Sequence, residues 1–99
     1  MSPSSSIAID QVYKPSVNCI AEEMDGELLV FNPDTVTTVH LDAPSTLVWR
    51  LCCEGNSVAD IIEVLLDAYP DQQQQIHDDV IDIVQALYDK AVLYSESDQ

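Results

Sequence analysis

The sequence predicts an α+β domain in which a three-stranded antiparallel sheet precedes three helices. Three observations carry this expectation. Apolar residues recur in short strand-like runs as far as residue 41 and at helical spacing from there to residue 88. Two clusters of turn residues, Asp25-Gly26 and Asn32-Pro33-Asp34-Thr35, separate the strand-like runs. Residues suited to capping helix starts, Asp42, Ser57 and Asp71, each stand ahead of a helical run.

The first strand is expected over residues 18–23. Asp25-Gly26 then favours a two-residue hairpin turn, because both residue types tolerate positive φ. The return strand, Glu27-Leu28-Leu29-Val30-Phe31, is almost continuously apolar. That implies cover on both faces, or one covered face and one sticky one. Pro33 suits the second position of the next turn. Residues 36–41 alternate: Thr37, Val39 and Leu41 on one face, Val36, Thr38 and His40 on the other.

Asp42 caps a first helix whose opening turn tolerates Pro44. Its buried stripe is expected to be Leu47, Val48, Leu51 and Cys52, with Trp49 off the stripe, and Gly55 ends it in the left-handed region. Ser57 and Asp60 form a capping box for a second helix with the apolar set Val58, Ile61, Ile62, Leu65, Leu66 and Tyr69. Pro70 stops it, and Asp71 is expected to cap the third, with Gln74 three residues on. The third helix carries Ile76, Val80, Ile81, Ile83, Val84, Leu87 and Tyr88. At helical spacing these cover roughly 160° of its circumference, against about 100° for an ordinary core-facing stripe. Such width requires neighbours on two sides, or an arc that lines an open groove. Residues 91–94 suit a short terminal strand.

With 99 residues the chain suggests one domain. Residues 1–14 read as a flexible lead-in, 15–94 as the folded unit and 95–99 as a frayed tail. The 18 acidic residues against 3 Lys and Arg give a formal charge of −15. That surface repels a phosphate backbone and anionic lipid, and attracts a partner with a basic patch. No long apolar run and no secretory-type start are present, so the cytoplasm is the expected compartment.

The cysteines, Cys19, Cys52 and Cys53, do not make a disulfide framework or a zinc spacing, and Cys52 is expected as a small buried hydrophobe. With only 2 Gly there is no phosphate-cradling loop, and no nucleophile or His-Glu-x-x-His motif appears. Asp78, Asp79 and Asp82 read as a solvated helix face, and His40 and His77 as ordinary histidines. No catalytic residue, metal or cofactor is expected.

Several stretches in order carry a family resemblance: Tyr13-Lys14-Pro15-Ser16, Glu22-Glu23-Met24-Asp25-Gly26-Glu27, Leu29-Val30-Phe31-Asn32-Pro33-Asp34-Thr35, His40-Leu41-Asp42-Ala43, Val48-Trp49-Arg50-Leu51 and Asn56-Ser57-Val58-Ala59-Asp60-Ile61-Ile62, closed by Asp79-Val80 and Leu87. Together they resemble the PqqD-like family over about residues 13–94. Its members are winged helix-turn-helix-like peptide chaperones, or precursor-peptide recognition elements, of ribosomal peptide modification. The resemblance implies a non-enzymatic domain that binds the leader segment of a precursor peptide by strand addition to the third strand. The domain would present that segment to a modifying enzyme such as a radical-SAM enzyme, a leader protease or a cyclising enzyme. The implied binding residues are Thr37, Thr38, Val39 and His40 on the strand, and Asp79, Ile83 and Ala86 on helix three, with Val80 and Leu87 beneath. One departure bears on which peptide is read: members often have an aromatic in the third strand, where this chain has Val36-Thr37-Thr38-Val39. Two other readings are a winged-helix DNA-binding regulator, which the charge opposes, and an adaptor that docks on an enzyme without reading a peptide. The open strand edge allows a monomer or a strand-exchanged dimer.

Overall fold

The structure is a computed structural model and describes residues 7–95. Five strands and three helices follow in the order β1 (Tyr13–Pro15), β2 (Ile20–Met24), β3 (Glu27–Asn32), β4 (Thr37–Leu41), α1 (Ala43–Cys53), α2 (Val58–Ala68), a 3-10 turn (Pro70–Gln72), α3 (Gln73–Asp89) and β5 (Leu93–Ser95). β2, β3 and β4 form an antiparallel meander, and β1 pairs with β5 in a separate two-stranded ladder. The α+β class, with a three-stranded sheet ahead of three helices, is the one the sequence predicts.

Asp25 and Gly26 join β2 to β3 with φ of 54° and 82°. Both values are positive, as a primed two-residue turn requires. The register places Ile20 opposite Phe31, Glu22 opposite Leu29, Leu28 opposite Leu41 and Val30 opposite Val39. Leu28, Val30, Val39 and Leu41 therefore share the inner face and are buried. Leu29 and Phe31 lie on the outer face and are half-buried. Of the two readings of the apolar β3 run, the structure takes one covered face and one sticky face.

Between β3 and β4, the backbone N–H of Asp34 donates to Asn32 Oδ1 at 2.9 Å, while Asn32 Nδ2 donates to the Ala91 carbonyl at 2.7 Å. One buried asparagine thus shapes the turn and ties it to the segment after α3. Val36 falls in the turn with φ 52° and is exposed, so the strand begins at Thr37 and not at Val36.

Asp42 caps α1 by accepting from the Ser45 N–H at 3.0 Å. After Glu54, Gly55 takes φ 90°, its N–H reaching the Cys52 carbonyl at 3.0 Å and that of Asn56 the Leu51 carbonyl at 3.2 Å. These two bonds make a Schellman close. The buried stripe of α1 departs from expectation. Trp49 is buried together with Thr46, Val48 and Cys52, whereas Leu47 is 41 % exposed. The reason is tertiary: β1, β3, β4, α2 and α3 all pack against this helix, and their positions set which side faces inward.

The α2 capping box forms as expected, with Asp60 N–H donating to Ser57 Oγ at 3.1 Å and Ser57 N–H to Asp60 Oδ2 at 3.4 Å. The next two free amides are satisfied from the lead-in: Val58 N–H donates to the Gln11 carbonyl and Ala59 N–H to that of Ile9. Asp71 does not cap α3. Pro70 opens a 3-10 turn that contains Asp71, and α3 starts after Gln72 with no side-chain cap.

The described part of the lead-in also departs from expectation. Tyr13 is 3 % exposed, Val12 bridges Ser57, and residues 13–15 pair with β5. Ser95, assigned to the frayed tail, is buried opposite Tyr13. Residues 1–6 and 96–99, the outer parts of the lead-in and tail, lie outside the described residues.

Candidate functional site

The wide apolar arc of α3 has two separate destinations. Its centre, Ile76, Val80, Val84 and Leu87, is core. On one flank Tyr88 packs against Tyr13. The other flank is open. There Ile83, Ala86 and Leu87 face β4 across a hollow of about 280 Å³, whose walls also include Val39, His40, Leu41, Ser45, Asp82 and Lys90. Ile83 stands at the border of a second cleft of about 420 Å³ among α1, α2 and α3, lined by Ala43, Pro44, Leu47, Leu65, Tyr69, Ile76, Asp79 and Val80 among others.

β4 is an edge of the meander, and among the described residues no strand pairs with its outer side. The β2 edge is open too, but only β4 adjoins the hollow of α3. At the end of β4 the Leu41 carbonyl accepts from Thr46 Oγ1 at 3.2 Å. His40 lies on the outer face of the sheet, with Nε2 2.7 Å from Glu27 Oε1 on β3.

Five of the sequence-predicted residues meet at the β4–α3 hollow: Val39, His40, Ile83, Ala86 and Leu87. Asp79 and Val80 line the neighbouring cleft, with Val80 buried and Asp79 exposed. Thr37 and Thr38 line neither. Thr37 Oγ1 turns back to the Thr35 carbonyl at 3.2 Å, and Thr38 is exposed beside Phe31. Sequence reasoning missed Leu41, Asp82 and Lys90. Leu41 was legible from its alternation with Val39; Asp82 and Lys90 follow Asp79 on the same helix stripe, at three and eleven residues.

The reactive side chains are placed differently. Cys52 is in the core, and burial, then the neighbouring Cys53, pushes its thiol up to about 12. Burial is also the first cause that raises Cys19 and Cys53. All three are free thiols that stay protonated at neutral pH. Among the described residues no group of three or more His, Cys, Asp or Glu is gathered for a metal, and no helix is long and apolar enough to cross a membrane.

Fold and site together define an α+β domain with an accessible strand edge beside an apolar groove. The chain belongs to the family described as coenzyme PQQ synthesis protein D (PqqD), which matches residues 27–93, from the start of β3 to the start of β5. Among solved structures, TbiB1 in complex with the TbiA(beta) leader peptide is similar, with a TM-score of 0.73 and 26% identity over 81% of this chain and 93% of that one. No curated protein matches the chain.

Proposed function

We propose that this protein is a non-catalytic recognition element that binds the leader segment of a ribosomally synthesised precursor peptide and presents it to a modifying enzyme. The observation that carries the reading is the open β4 edge running beside the apolar hollow of α3. An extended peptide added to β4 gains main-chain hydrogen bonds, and every second side chain can turn into the hollow. The TbiB1 structure, a leader-peptide complex of similar fold, supports the same use of the fold here.

The magnitudes require both parts of the site. Each added backbone bond nets about 0.5–1.5 kcal/mol. Ordering a disordered segment costs about 2–5 kcal/mol or more. Strand pairing alone leaves little, so apolar anchors against Val39, Ile83 and Leu87 supply most of the net affinity.

The test is affinity capture of the tagged protein from its own cells, with mass spectrometry that keeps species below about 10 kDa, smaller than a typical domain. A short precursor peptide should be recovered with wild type and lost with Ala86→Glu, which puts a charge into the hollow. Recovery of a large enzyme alone, unchanged by that substitution, would support docking without peptide reading instead.

A further inference from the structure

The groove has a direction, written in its charges. β4 and α3 run antiparallel along it. The Thr37 end of β4 lies by the end of α3, because Thr37 pairs with Asn32 and Asn32 Nδ2 bonds the Ala91 carbonyl at 2.7 Å. The Leu41 end continues into Ala43 and Pro44, which share a cleft with Asp79. Along the open flank of α3 the stripe reads Asp79, Asp82 with Ile83, Ala86, then Lys90. Two carboxylates therefore stand at one end, an apolar stretch lies between, and a cation stands at the other end. Among the described residues, none of the Asp79, Asp82 and Lys90 side chains has a hydrogen-bond or ion-pair partner, whereas neighbouring Asp78 and Asp89 are engaged by Gln74 and Gln85. His40, the other titratable group in the hollow, faces Glu27.

We infer that the groove selects peptides by charge order: a Lys or Arg on the N-terminal side of the apolar anchors, facing Asp79 and Asp82, and an Asp or Glu on the C-terminal side, facing Lys90. The inference rests on the leader-binding reading and sharpens it. Antiparallel addition, the slightly stronger mode of pairing, sets the peptide N-terminus at the Leu41 end. The eleven helical steps from Asp79 to Lys90 span about 16 Å. An extended strand covers that in about five residues, at about 3.4 Å each. The two peptide charges should therefore sit four to six positions apart. Opposite-sign charges at both ends fix register and orientation, which the uniform backbone pairing of an edge strand does not.

A random library of displayed twelve-residue peptides, selected on the immobilised protein at low salt, tests this. Enriched peptides should carry the basic–apolar–acidic order. The variant Asp79→Lys/Asp82→Lys/Lys90→Glu should invert the order, and a synthetic enriched peptide should bind that variant about three- to tenfold more weakly than wild type. The difference should shrink with added salt. Glu63→Lys, at an exposed position of α2 outside the groove, makes the same net change of charge as the triple variant and should keep the original order. Peptides that protect β4 amides but show no charge order, or the reverse one, overturn this inference and leave the leader-binding reading standing. If no peptide is enriched, or if enriched peptides leave β4 unprotected, both fall.

Discussion

The ring of Tyr13 meets the ring of Tyr88 edge-on, with centroids 5.7 Å apart and planes at 84°. This contact covers one flank of α3 with a residue from the start of the chain, while the opposite flank faces the hollow beside β4. The Tyr13 hydroxyl also accepts from the Ala8 N–H at 3.1 Å. Tyr13→Ala should lower unfolding free energy by about 3 kcal/mol, as large aromatic truncations in cores do. Tyr13→Phe, which keeps the ring pair and loses the hydroxyl, should cost about 1 kcal/mol. Urea unfolding followed by far-UV circular dichroism measures both. No loss in Tyr13→Ala would mean that the strand before the sheet does not belong to the cooperative unit.

Gly55 predicts a backbone effect free of packing. Its φ is 90°, and a Cβ added there would meet nothing within 4 Å. Gly55→Ala should therefore destabilise only through left-handed strain, by about 1–2 kcal/mol. Gly26→Ala, at φ 82° with the same open surroundings, should cost a similar amount. A much larger loss at either site would reveal crowding that the structure does not contain.

Asp42 gives a pH dependence. The Ser45 backbone N–H, and next its hydroxyl, hold the Asp42 carboxyl below its usual pKa. A group whose folded pKa is lowered stabilises the protein above its unfolded pKa, about 3.9, and loses that contribution as pH falls through the folded value. Asp42→Ala should cost about 1 kcal/mol at neutral pH. Its deficit against wild type should shrink as pH falls below about 4 and through the lowered folded value, where the carboxyl protonates. Asp42→Asn keeps an effective cap and should flatten only that acid limb. Chemical unfolding at a series of pH values reads all three curves, and a deficit that does not change with pH would exclude the ionised carboxylate as its source.

What the sequence made legible divides by the range of the cause. Ser57 with Asp60, Asp42, Gly55 and Asp25-Gly26 act within a few residues, and each does in the structure what its chemistry implies. The strand Tyr13–Pro15 was not legible, because its partner Leu93–Ser95 lies at the far end of the chain and three residues carry no period. The side of α1 that faces inward depended on five neighbouring elements, and Leu47 and Trp49 exchanged roles accordingly. At the candidate site the overwide stripe of α3 pointed to Ile83 and Ala86, and alternation pointed to Val39. The other flank is covered by Tyr13, a residue assigned to the lead-in.

That division of α3 supplies a matched pair of substitutions. Ile81 and Ile83 are both half-buried and both pack against the core. Ile83 forms a wall common to the two hollows, whereas Ile81 lines neither. Truncating either to alanine removes partly covered methylenes and should cost stability by about 1–2 kcal/mol, below the range for fully buried isoleucine. For a peptide recovered by capture, Ile83→Ala should weaken binding about tenfold, the loss of one apolar anchor of about 1.4 kcal/mol. Ile81→Ala should leave affinity within about twofold, because a surface away from the ligand rarely contributes more than a few tenths of a kcal/mol. Titration calorimetry on both variants, with unfolding curves as the control, separates a groove contact from general destabilisation. Equal losses of affinity would place the peptide elsewhere than on the open flank of α3.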